Sequence, residues 1–124
     1  MIQSNRPRIL IIDDDRETQS LWKDMLTLMG LELVSVFTLT EAEQQLSRIQ
    51  EFEVIAVDAC MSGNTPDTVP LVTKLRERFN GIMIAISNLP DFQAALIRAG
   101  CNFGCAKFDL HEKLPECLPS LVAA

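Results

Sequence analysis

A chain of 124 residues with 11 Lys and Arg against 17 Asp and Glu, a formal net charge of -6, has room for one domain, residues 1–124. Its core is large enough to fold without metal or disulfide staples. The acidic balance is spread along the chain and excludes the basic face on which direct nucleic-acid binding rests. No apolar stretch approaches the roughly 20 residues of a membrane span, and Met1-Ile2-Gln3-Ser4-Asn5-Arg6 shows no signal-peptide pattern, so a soluble cytoplasmic protein is expected.

The first element announces itself most clearly. In Arg8-Ile9-Leu10-Ile11-Ile12-Asp13-Asp14-Asp15, four aliphatic residues end abruptly in three carboxylates. A short apolar run rich in β-branched residues reads as a strand buried on both faces, as in the centre of a parallel sheet. The acids then stand at its carboxyl end, where open α/β sheets bind ligands. A bound cation most simply relieves their repulsion. Asp15 reads as the N-cap of the following helix. That helix carries Leu21, Met25 and Leu28, joined by Trp22 and Met29, at helical spacing and stops at Gly30. This group reads as helix packing and not as a cofactor box.

Leu31 to Phe37 follows as a second strand, and Thr40 with Glu43 offers a capping box for a helix through Ala42, Leu46 and Ile49. Phe52 to Asp58 is a third strand, again apolar and again closed by an aspartate. Cys60 to Asp67 is a loop by its turn residues, and Pro70 falls in the first turn of a helix with Val69, Val72, Leu75 and Phe79 as its buried stripe. Ile82 to Ile86 is a fourth strand ending at Ser87-Asn88, and a helix from about Pro90 to Ala99 stops at Gly100. Asn102 to Lys107 reads as a weaker fifth strand. The segment from Asp109 is helical in pattern but carries Pro115 and Pro119, which predicts a kinked or short helix. Five β-then-α units give a doubly wound parallel sheet with helices on both faces.

Cys60, Cys101, Cys105 and Cys117 contain no CxxC pair and are joined by a single histidine, His111, which excludes a zinc site by its pattern. They read as small buried apolar residues of a reducing compartment. Cys101 and Cys105 are too far apart to bridge along an extended segment. His111 reads as a solvated surface residue.

The strand ends gather Asp13 and Asp14, Asp58, Ser87 and Lys107 on one edge of the sheet. Carboxylate oxygens suit Mg²⁺, a hydroxyl and an ammonium suit phosphoryl oxygens, and a carboxylate can itself accept a phosphoryl group. Across residues 8–118 the chain resembles the receiver domain of two-component response regulators, in the manner of single-domain chemotaxis regulators. The resemblance implies a flavodoxin-like fold of five strands in the order 2-1-3-4-5 with five helices. It implies that Asp58 is phosphorylated by a histidine kinase or phosphotransfer protein. It further implies that Asp13, Asp14, Asp58 and the backbone carbonyl of Cys60 hold Mg²⁺, and that Ser87 and Lys107 bind the phosphoryl group. Such a chain acts on other proteins in a phosphorelay, catalysing only its own phosphorylation and dephosphorylation, and is otherwise not an enzyme.

The sequence also departs from that pattern. Gly104 stands where the family carries a switch aromatic three residues before the lysine, and Phe103 cannot replace it because neighbouring strand residues face opposite sides. Lys107-Phe108 replaces the usual Lys-Pro step, so a trans bond and a different loop path are expected. Asn88 stands in place of a small residue, poised to narrow access to the phosphoryl group or to hydrogen-bond it. Ser62 stands in place of a loop proline, which predicts a more mobile loop. These departures favour an alternative, a degenerate receiver that binds partners irrespective of phosphate. A haloacid dehalogenase-type enzyme fits poorly, because Glu17 follows the Asp-x-Asp of Asp13 to Asp15 where that motif wants Thr or Val. A flavodoxin role fits worse still, since the first turn is acidic where a phosphate-cradling loop is rich in Gly, Ser or Thr.

Overall fold

The computed structural model describes residues 6–118. In chain order the elements are β1 (Arg8–Ile12), α1 (Arg16–Leu28), β2 (Glu32–Val36), α2 (Leu39–Gln44) running into a 3-10 stretch (Gln45–Glu51), β3 (Val54–Asp58), α3 (Val69–Arg78), β4 (Ile82–Ile86), α4 (Pro90–Ala99), β5 (Phe103–Cys105), a 3-10 turn (Lys107–Asp109) and α5 (Leu110–Cys117). The strands form one parallel sheet in the order β2-β1-β3-β4-β5.

The central strands are apolar over a run of at least four residues each, as burial on both faces requires. Leu10, Ile12, Ile55, Val57, Met83 and Ala85 join the layer formed with α2, α3 and α4, while Ile9, Ile11, Val54, Ala56, Ile84 and Ile86 join Trp22 and Leu26 of α1 and Leu110 and Leu114 of α5. Cys101 belongs to the first layer and Cys105 to the second, so the sheet itself separates the two thiols. All four cysteines are free, Cys60 being only half-buried. Among the described residues no helix is long and apolar enough to cross a membrane.

The structure moves several boundaries. The capping box of α2 is Thr38 with Glu41, not Thr40 with Glu43: Thr38 Oγ1 accepts the Glu41 amide at 3.0 Å, and Glu41 Oε1 accepts the Phe37 amide at 2.6 Å. The Thr-x-x-Glu pattern occurs twice, two residues apart, and Glu43 is used instead in an ion pair with Lys74 at 3.0 Å. Thr38→Ala is therefore expected to cost about 1 kcal/mol of stability and Thr40→Ala less than about 0.5, a difference that denaturant unfolding resolves. Equal costs would place the cap wrongly.

The buried stripe of α1 is also rotated from the expected one. Leu21 is 55% and Leu28 89% exposed, and Met25 lies on the same outer side, whereas Thr18, Gln19, Trp22 and Leu26 are buried. Two of those four are polar and read as solvent-facing by hydropathy. Burial is tolerated because Gln19 Nε2 donates to the carbonyls of Ile11, Asp13 and Val36, at 2.9, 3.2 and 3.1 Å, and Thr18 Oγ1 donates to Asp15 Oδ2 at 2.8 Å. Gly30, with φ of 91°, takes the left-handed conformation that ends α1.

β5 is three residues long, ending at Cys105, so Lys107 lies beyond the sheet at the head of a 3-10 turn. α5 is short, eight residues, with Pro115 inside it, as expected of its sequence; Pro119 lies outside the described residues.

Candidate functional site

At the carboxyl edge of the sheet a cavity of about 790 Å³ is lined on its polar side by Asp14, Asp15, Asp58, Ser87, Asn88 and Lys107, and on its apolar side by residues including Cys60, Met61, Leu89 and Phe92. Asp13 lies beside it with no exposed surface. It sits immediately after β1, where the chain has left the ladder but still bonds to Val36 through its own amide at 3.1 Å. Carboxylate oxygens of Asp13, Asp14 and Asp58 fall within 4.8 Å of one another. Three residues that the sequence placed at two strand ends are thus brought to one point.

Two turns set those carboxylates. Asp13 Oδ1 accepts the Asp15 amide at 2.9 Å, and Asp58 Oδ1 accepts the Cys60 amide at 3.1 Å. Each side chain is bent back over its own following turn, which aims its second oxygen across the gap. Lys107 answers from the other side: its Nζ lies 3.3 Å from Asp13 Oδ2, 3.6 Å from Asp15 Oδ2 and 3.9 Å from Asp58 Oδ2. Asp15 is the N-cap of α1, accepting from the Glu17 and Thr18 amides, and it also faces the lysine.

One cation does not balance this corner. Burial, reinforced by the Asp13 charge, pushes the Asp58 carboxyl up to about 7, and burial raises Asp13 as well despite the Asp15 amide and Lys107. Burial works against the Lys107 ammonium, but the Asp13 and Asp58 carboxylates outweigh it and hold the pKa above its ordinary value. Asp13 Oδ2 is buried and, although the Lys107 ammonium faces it at 3.3 Å, no well-formed hydrogen bond satisfies it. A buried, incompletely satisfied oxygen beside two further carboxylates fits a hard, oxygen-seeking divalent cation, for which this donor set suits Mg²⁺.

The loop after β3 is pinned by residues the sequence did not single out. Asp67 accepts from the Met61 and Ser62 amides at 2.8 and 2.9 Å and from the Ser62 hydroxyl at 2.5 Å. Buried Thr68 donates its hydroxyl to the Asp58 carbonyl at 2.8 Å. Asp67 six residues after Met61 is an Asx clamp and supplies the constraint that a proline at Ser62 would.

Ser87 follows β4, half-buried at the cavity wall. Its amide donates to Cys105 at 3.0 Å, its Oγ accepts the Leu89 amide at 3.1 Å, and its carbonyl accepts Gln93 Nε2 at 2.7 Å. Asn88, on the cavity wall, accepts the Lys107 amide through Oδ1 at 3.0 Å. The register of β5 against β4 is regular, with no bulge, and Phe103 stacks with Lys113 of α5 while Gly104 faces Gln93 of α4. The expected opposition of their two faces is what the strand shows. All described peptide bonds are trans, Lys107–Phe108 included. His111 is half-exposed, 3.8 Å from Glu112 and apart from the acidic corner.

No protein-family model matches the sequence, and no curated protein matches it. Solved structures do match the fold. A CheY-like response regulator receiver domain from Methylobacillus flagellatus superposes with a TM-score of 0.78 at 18% identity, covering 94% of this chain and 99% of that one. A second, from Methanospirillum hungatei, gives 0.70 at 23% identity over 96% and 98%. A response regulator from Burkholderia pseudomallei, solved with a phosphorylated aspartic acid, a calcium ion and citrate, gives 0.77 at 16% identity over 94% and 69%. The fold, with its strand order and five helices, is that of response regulator receiver domains.

Proposed function

We propose that this chain is a phosphoacceptor receiver whose Asp58 takes a phosphoryl group from a histidine kinase or phosphotransfer protein in two-component signalling. The observation that carries the reading is the convergence of Asp13, Asp14 and Asp58 carboxylates with Lys107 at the carboxyl edge of a receiver-type sheet. In the transfer, a carboxylate oxygen of Asp58 bonds to phosphorus as the phosphorus–nitrogen bond to the donor imidazole breaks, and the imidazole leaves. The Cys60 amide fixes the carboxylate plane through Oδ1. Lys107 Nζ stands on the Oδ2 side to neutralise a phosphoryl oxygen, and the Ser87 hydroxyl, now accepting from Leu89, is free to donate to another.

Asp13, Asp14, Asp58 and the Cys60 carbonyl would hold Mg²⁺. When bound it supplies positive charge that keeps Asp58 ionised and screens the incoming phosphoryl oxygens. The chain then catalyses only its own phosphorylation and the later hydrolysis of its acyl phosphate. Its site of action is the cytoplasm, and its output is a changed contact with another protein. Incubation with acetyl phosphate and Mg²⁺ is expected to add one phosphoryl mass, lost in Asp58→Asn. An increment that survives that substitution, or none in the parent, would refute the reading. In the second case the alternative stands, a receiver-fold module that binds its partner without phosphate, which Gly104 and the Gln93 side chain packed against it favour.

A further inference from the structure

Lys107 owes its place to a residue outside the acidic corner. β5 ends at Cys105, whose carbonyl takes the Ser87 amide at 3.0 Å, so Lys107 stands two residues beyond the strand. The 3-10 turn it opens has no side-chain cap, and the Lys107–Phe108 bond is an ordinary trans peptide. The sheet therefore does not fix the backbone from which the ammonium reaches three carboxylates. Asn88 does, because its Oδ1 accepts the Lys107 amide at 3.0 Å across 19 positions of sequence. Asn88 is itself anchored. It follows Ser87, whose backbone is tied to β5 by its amide and to α4 through Gln93 Nε2.

We propose that Asn88 is a positioning residue: its carboxamide oxygen holds the Lys107 backbone so that the ammonium falls among the carboxylates of Asp13, Asp15 and Asp58. The chemistry suits the task. A lysine side chain carries much rotamer freedom, and anchoring its backbone removes part of the search for the productive geometry. A neutral acceptor does this without adding another negative charge to a corner already rich in them.

The consequence for rate rests on the phosphoacceptor reading, while the hold on Lys107 does not, so two measurements separate them. The full chain, Asn88→Ala and Asn88→Asp are compared for phosphoryl incorporation from acetyl phosphate with Mg²⁺ across donor concentrations, and for amide hydrogen exchange at Lys107. Asn88→Ala is expected to lower the maximal rate about tenfold, to leave the half-saturating donor concentration within about twofold, and to speed Lys107 exchange. Asn88→Asp keeps an acceptor oxygen in place and is expected to restore the Lys107 protection. Parental rate in Asn88→Ala, unchanged Lys107 exchange in that variant, or an Asn88→Asp whose Lys107 amide exchanges as fast as in Asn88→Ala would each overturn the assignment. A parental chain that takes up no phosphoryl group counts against the phosphoacceptor reading, and the exchange measurement alone then decides for or against the hold on Lys107.

Discussion

Asp58→Asn is expected to stabilise the metal-free protein at pH 7, by on the order of 2 kcal/mol, and to abolish the stabilisation expected of the parent on adding Mg²⁺. The sign follows from the acidic corner. Burial and the neighbouring Asp13 push Asp58 up to about 7, above its ordinary value of 3.8. Between about pH 4 and pH 7 the folded chain keeps a proton that the unfolded chain has released. Stability therefore falls as pH rises through that window and levels off above it. Asparagine removes the charge, still accepts the Cys60 amide through its carbonyl oxygen, and brings an NH₂ toward Asp13 Oδ2, which Lys107 faces at 3.3 Å without a well-formed hydrogen bond. Mg²⁺ should stabilise the parent most at the alkaline end, where the carboxylates proposed to hold it are ionised. Denaturant unfolding from pH 4 to 8, with and without Mg²⁺, reads all of this. A variant whose stability tracks the parent's across that range would show that Asp58 carries no such strain.

Gly104→Phe, which installs the missing aromatic, is expected to destabilise the protein by about 2 to 3 kcal/mol and not to restore a switch. A Cβ at position 104 would stand 2.5 Å from Gln93 Oε1, 3.0 Å from its Cβ and 3.1 Å from its Cδ. The glutamine occupies the space that a side chain there needs. Displacing it also frees the Ser87 carbonyl, which Gln93 Nε2 holds at 2.7 Å. Truncating the partner relieves most of the collision, so Gly104→Phe and Gln93→Ala should be strongly non-additive, with a coupling of about 1 kcal/mol or more in favour of the double variant. Strict additivity, or a neutral Gly104→Phe, would mean that the two positions do not compete for one volume. Gly104 is thus the glycine of a close approach, and the position beside β5 is filled from α4.

The loop substitutions tell a related story. Each residue missing from the receiver pattern has a structural counterpart elsewhere in the chain: Asp67 clamps Met61 and Ser62, Asn88 holds Lys107, and Gln93 packs on Gly104. These are all polar side chains, acting within a loop, between two loops and from helix α4 to strand β5 respectively. None follows from hydropathy, because a polar residue on an exposed turn reads the same whether it points to solvent or bonds to a backbone amide 19 positions away.

The sequence by itself determined the order of elements, the parallel doubly wound class, the pairing of acids with strand ends and the capping role of Asp15. Those depend on local signals: unbroken aliphatic runs such as Ile9 to Ile12 and Val54 to Val57 permit only a strand buried on both faces, and a carboxylate before a helix finds free amides within its own turn. Tertiary structure alone decided which face of α1 is buried, which of two Thr-x-x-Glu boxes caps α2, where β5 stops and what stands beside Gly104. Except at the α2 cap, whose Thr38 and Phe37 bonds to Glu41 are local, the deciding bond or contact joins segments apart in sequence. Gln19 is buried because carbonyls of β1 and β2 receive its amide, and Lys107 reaches the acids from outside the sheet while Asn88 holds its backbone. Periodicity records what a residue prefers among its neighbours along the chain, and these residues were placed by partners that only folding brings near.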